Sequence, residues 1–147
     1  MERATLDYLA TKAEISRNLL KSHALSQRQR LERWSALLAQ QPHRLLGTFP
    51  MTEFMAASIR DAMRCADSAI SVAYEDPVLR EAGLTDDTYG TAKQFFGLSD
   101  RHMHWIVCYC HHGMSVRAGV LANVVRSTMP RIGLLGRLKQ VFVPRAI

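Results

Sequence analysis

Apolar residues recur along most of this chain at helical spacing, in segments bounded by residues that start and stop helices. Over Ala4 to about Lys21, Leu6, Leu9, Ala13 and Leu20 fall on one stripe, widened by Tyr8, Ile15 and Leu19. Ser26 and Gln29 have the spacing of a capping box, and Leu31, Trp34, Leu37 and Leu38 give the helix that follows a buried face. Pro42 ends it. The short connection between these two segments predicts an antiparallel N-terminal helical hairpin. His43 to Pro50 reads as a loop that packs down through Leu45, Leu46 and Phe49. A third helix is expected from Thr52, its N-cap, to Cys65, with Phe54, Met55, Ile59 and Met63 inward. The alternation in Ala66–Tyr74 suggests a short strand, but no second strand offers to pair with it. An extended segment or a helix end is the expectation there.

The second half carries clearer punctuation. Asp76-Pro77 is an N-cap followed by proline at the first helical position, and Gly83 is the matching stop. Thr85 or Asp87 is expected to cap a helix carrying Tyr89, Ala92, Phe95 and Phe96, ending at Gly97. Ser99 caps the next, which is read as running unbroken to Gly113. Ser115 caps the last long helix, which ends before Pro130. The expected fold is all-α: one orthogonal bundle of about six helices over residues 1–129, with a separate tail over 130–147.

Length and composition agree with that reading. A chain of 147 residues, 48% hydrophobic and 22% charged, is long enough to bury a core and too apolar for wholesale disorder. No apolar run approaches the ~20 residues of a membrane span, and the N-terminus lacks the pattern of a secretory signal. Three cysteines, with no pattern of a disulfide framework, point to a reduced, cytoplasmic setting.

Charge changes the picture more. The net charge is +6, yet the last 47 residues hold none of the 13 acids and seven of the 19 bases: Arg101, Arg117, Arg126, Arg131, Arg137, Lys139 and Arg145. A basic third of this kind suggests an anionic partner, whether nucleic acid, lipid surface or acidic protein. The tail mixes its bases with Leu134, Leu135, Leu138, Val141 and Phe142, a basic amphipathic composition that suits peripheral membrane contact or a partner's groove. Over Phe95–Cys108, a glycine turn followed by a serine-capped helix resembles a degenerate helix-turn-helix. Arg101, His102 and Trp105 would then face the DNA groove. It departs from the motif at Lys93, where a small buried residue belongs, and at Asp100, which would repel phosphate.

Cys and His are concentrated between His102 and His112. On one continuous helix, His104, Cys108 and His111 share a flank, with His112 further round, and i,i+4 spacing lets such residues share a metal. This is a candidate zinc or haem site that needs ligands from elsewhere, with Cys65, His23 and His43 available. On the same helix Cys108 and Cys110 point about 200° apart and cannot meet. The competing reading makes the cysteines small apolar core residues. No phosphate loop or nucleophile motif is present, so catalysis is not expected. The sequence favours a small non-enzymatic interaction or regulatory protein whose basic C-terminal third meets a protein or polyanion. A DNA-binding regulator and a metal or haem protein are the alternatives.

Overall fold

The computed structural model describes residues 24–130 together with Leu9 and Thr11. Among the described residues the protein is mostly helical, 61% by residue, with one small two-stranded sheet. The first helix of the expected N-terminal hairpin lies outside the described residues apart from Leu9 and Thr11, which are helical. Arg131, Arg137, Lys139 and Arg145 of the tail also lie outside them.

Helix α1, Gln27–Gln40, begins at the capping box read from the sequence: Ser26 accepts from the Gln29 amide, and the Gln29 side chain accepts from the Ser26 amide. Its apolar stripe buries Leu31, Trp34 and Leu38 completely. Trp34 stacks on Phe96 with ring centroids 4.2 Å apart, and its indole N–H donates to the Ala69 carbonyl at 2.9 Å. The ring therefore fills the core without leaving its polar atom unpaired. On its other side α1 lies along α8, Ala118–Ser127, whose Leu121, Ala122 and Val125 are buried, and the Ser35 hydroxyl donates to the Ala122 carbonyl.

Between them come α2 (Ala57–Asp61), α3 (Ala69–Glu75), α4 (Pro77–Ala82), α5 (Tyr89–Phe96), α6 (Asp100–Val107) and α7 (Tyr109–His112). Asp76 caps α4 as expected and is also clamped by Arg33 through two bonds of 2.6 and 2.8 Å. Gly97 closes α5 in the left-handed region at φ 62°, where a Cβ would also strike the Gln27 amide at 2.7 Å. Gly90 serves a different purpose. A Cβ there would sit 2.7 Å from Asp61 Cβ and 3.0 Å from its carbonyl oxygen, so its bare backbone lets α5 approach the end of α2.

Several expectations are corrected. Most of Ala66–Tyr74 lies in helix α3, Ala69–Glu75, entered through a capping box of Ser68 and Ser71. Its alternation is local, because the buried residues Ala69, Ile70, Val72 and Ala73 follow a helical stripe. Thr88, not Thr85 or Asp87, caps α5, and Asp86 accepts from Thr88 instead. The expected helix Thr52–Cys65 is a 3-10 turn, Thr52–Phe54, followed by the short α2, which buries nothing. Phe54 is 79% exposed and Ile59 61%, so neither belongs to the core.

The fold is also not purely helical. Strand β1, Leu45–Gly47, pairs antiparallel with β2, Ser115–Arg117, in the register Leu45↔Arg117, Leu46↔Val116, Gly47↔Ser115. Ser115 is therefore a strand residue rather than a helix cap. Beyond β1 the chain continues as an extended strap, and Phe49 pairs with Cys108. That pairing overturns the largest sequence expectation, the unbroken helix from Ser99 to His112.

Candidate functional site

Cys108 has extended backbone angles, φ −82° and ψ 136°, and separates α6 from α7. The hydrogen bonds explain the break. The Cys108 amide still bonds to His104 as a last helical link at 3.0 Å. The next amide, Tyr109, turns instead to the Phe49 carbonyl at 3.0 Å, while the Phe49 amide takes the Val107 carbonyl at 2.7 Å. The Trp105 carbonyl would have been the helical partner of Tyr109, and it accepts from His112 Nε2. The Tyr109 amide and the Trp105 and Val107 carbonyls, released by the break, thus find new partners, which offsets much of its cost.

The break turns Cys108 Sγ and Cys110 Sγ toward each other at 3.0 Å, which a continuous helix would forbid. The strap delivers the rest of the cluster. Met51 takes a left-handed conformation and starts the 3-10 turn, which places buried Thr52 and exposed Glu53 against the thiols. The Cys108 thiol donates to Glu53 Oε2 at 3.1 Å, and the Thr52 hydroxyl donates to Cys108 Sγ at 3.4 Å. Thr52 Oγ1 also meets His104 Nδ1 at 2.9 Å. With its hydrogen directed to sulfur, the hydroxyl is placed to accept from Nδ1 in the imidazole tautomer that carries its proton there. The Cys110 amide donates to Cys108 Sγ as well, at 3.4 Å. The result is a chain of donors from His104 through Thr52 and Cys108 to the Glu53 carboxylate.

Electrostatics follow from that geometry. Burial pushes the Cys108 thiol up to about 11. Burial also lowers the His104 imidazole, with the Arg60 cation adding to the effect, so the ring is neutral at neutral pH. The Glu53 carboxyl is held below its ordinary range by its own backbone amide first and by the Cys108 thiol second. Tyr89 lies behind the cluster, fully buried, with its ring 6.4 Å from that of His104; its hydroxyl has no hydrogen-bond partner among the described residues.

The other expected metal residues lie elsewhere or are committed. His112 Nε2 is bound to the Trp105 carbonyl, and His111 is exposed, although near enough to Glu53 to lower its carboxyl. The residues that sequence reasoning misses are Glu53, Thr52 and Cys110. The only sequence signal for them is the i,i+2 pair of cysteines, and the helical wheel that sets those two apart does not apply across the break.

The residues expected to face a partner are only partly brought together. Arg101 is exposed and its guanidinium lies 4.8 Å from the centre of the Trp105 ring, with the His102 ring 5.7 Å from the same indole. Trp105 lines an open hollow of about 330 Å3 with His111, His112, Val124 and Ser127, which joins α6 to the end of α8. Arg126 is exposed beside it in sequence, while Arg117 lies on β2 near His43. Asp100, at the start of α6, is neutralised: Lys93 Nζ and Arg60 approach its Oδ1 at 2.8 and 3.2 Å.

Comparison with known protein families, with curated proteins and with solved structures finds no match. No helix of the described residues is long and apolar enough to cross a membrane.

Proposed function

We propose that this chain is a small non-enzymatic interaction or regulatory protein of the cytoplasm. In this reading an orthogonal helical bundle over 1–129, followed by the tail, presents the basic C-terminal third to an anionic partner. The observation that carries the reading is a contrast in charge pairing. Arg28, Arg33, Arg44, Arg60, Arg64 and Lys93 each have a carboxylate partner within salt-bridge distance. Arg101, Arg117 and Arg126, all the described bases of the last third, have none among the described residues, whereas only Arg30 and Arg80 lack one among residues 24–100. Unpaired arginines beside an aromatic ring suit the recognition of carboxylate or phosphate groups, because guanidinium offers planar, paired donors. Trp105 and its hollow add apolar contact area next to Arg101.

Duplex DNA is the second reading. It is favoured by the neutralisation of Asp100, which removes the charge that would repel phosphate at the start of α6. Binding to duplex DNA, to anionic vesicles and to an acidic peptide, each at two salt concentrations, separates the partners. A DNA reader loses about 0.9 in log K per log salt for every phosphate contact, and loses binding in Arg101→Ala. A membrane partner instead depends on Leu138 and Phe142 and is indifferent to Arg101→Ala. An acidic protein partner binds the peptide and depends on Arg101 and Trp105. Failure of all three ligands at low salt contradicts the proposal.

A further inference from the structure

We infer that Glu53, Cys108 and Cys110 form a binding site for a thiophilic divalent cation, with Zn2+ as the best-matched ion and solvent in the fourth position. The ligand atoms already converge: Glu53, Cys108 and Cys110 each bring one donor atom within 4.8 Å of the other two. Two thiolates and a carboxylate suit a borderline-soft ion with no geometric demand of its own, whereas Mg2+ and Ca2+ require oxygen ligands.

The surroundings of Cys108 argue the same way. Its sulfur receives the Thr52 hydroxyl and the Cys110 amide, and the Cys110 thiol lies 3.0 Å away. The hydroxyl and the amide are donors that suit a thiolate better than a neutral thiol. A divalent cation seated among the three donor atoms would replace the thiol protons and neutralise Glu53, whose Oε2 already lies 3.1 Å from Cys108 Sγ. Binding would convert two thiols to thiolates and release two protons to solvent per ion, with no change of oxidation state.

The required adjustment is small. Tetrahedral Zn2+ with sulfur ligands at about 2.3 Å sets them about 3.8 Å apart, against 3.0 Å between the thiols here. Cys110 is exposed and lies in a four-residue helix, so its side chain is free to open by that amount. Thr52 and His104 then act as positioning residues: the hydroxyl orients Cys108 Sγ, and the imidazole fixes the hydroxyl. The site is independent of the arginine surface, and its failure would leave that reading untouched.

The test uses the full-length chain, reduced and anaerobic in metal-free buffer, titrated with Zn2+ alone and with Co2+ alone. The expected result is one ion per chain, two protons released per Zn2+, and a thiolate-to-cobalt charge-transfer band with Co2+. Cys110→Ser and Glu53→Gln should each weaken binding by about 100-fold, at or beyond the range for loss of a supporting residue. Cys65→Ser should bind as the parent does. Both ligand variants alter exposed side chains, so their metal-free circular dichroism should match the parent. Absence of saturable binding by the parent chain overturns the inference. So does binding that survives Cys110→Ser and Glu53→Gln, or binding that is lost in Cys65→Ser.

Discussion

Two regions of this molecule are held together by different means. Around Trp34, helices α1, α3, α5 and α8 meet through buried apolar side chains, and their backbones are satisfied within each helix. Around Cys108, short segments meet through backbone pairing. Phe49 bonds on both sides of Cys108, Leu46 pairs with Val116, and side-chain donors gather on one sulfur. The first region gains stability from area removed from water. The second gains position, because each polar group there must find a specific partner and so fixes its neighbours.

The contrast predicts a steep gradient in mutational cost. Trp34→Ala should be the most damaging substitution in either region, at about 3–5 kcal/mol, because it opens a cavity and removes the indole bond to the Ala69 carbonyl. Chemical denaturation measures it, and a near-neutral result would mean that the core is not organised around this ring. Asp76→Ala should cost about 2–3 kcal/mol, from a lost N-cap and lost charge-assisted bonds to Arg33. The same residue gives a pH signature. Bonding to Arg33, foremost, holds its carboxyl below the ordinary value. The resulting stability is therefore present above the usual carboxylate range and disappears as pH falls through the folded-state value. Asp76→Asn should flatten that acid limb of the stability profile, and an unchanged limb would exclude the pair as its source.

Gly90→Ala should cost about 1–3 kcal/mol, because the new methyl meets Asp61 backbone atoms that cannot swing away. In the Cys108 region, Thr52→Val should cost about 1–2 kcal/mol by leaving His104 and Cys108 without their shared hydroxyl. Phe54→Ala, on the same 3-10 turn but 79% exposed, should stay within about 0.5 kcal/mol. Thermal or urea unfolding of the two variants side by side sharpens the contrast. Equal losses would indicate that the turn is held by Phe54 rather than by its polar contacts.

The same division governs what the chain reveals in one dimension. The Ser26 capping box, the Asp76-Pro77 start, the Gly83 and Gly97 stops and the burial of Trp34 are legible, since each depends on neighbours a few residues away. The helix over Ala69–Glu75 is not, because a seven-residue stripe is too short to separate from alternation. The break at Cys108 cannot be read locally at all. His102 to His112 contains neither Pro nor Gly, and the competitor for its backbone is Phe49. The candidate site suffers most, since Glu53 reaches the cysteines only through that strap. The chemistry is visible as Cys and His in one stretch, but the partners are not.

The central claim is that Phe49 interrupts the helix at Cys108 and so brings the two thiols together. Carbon-13 Cα chemical shifts of the reduced, metal-free chain test it directly. The account predicts helical shifts over Asp100–Val107 and an extended shift at Cys108. Uninterrupted helical shifts from Asp100 through His112 would contradict it, and the thiol cluster would then not form.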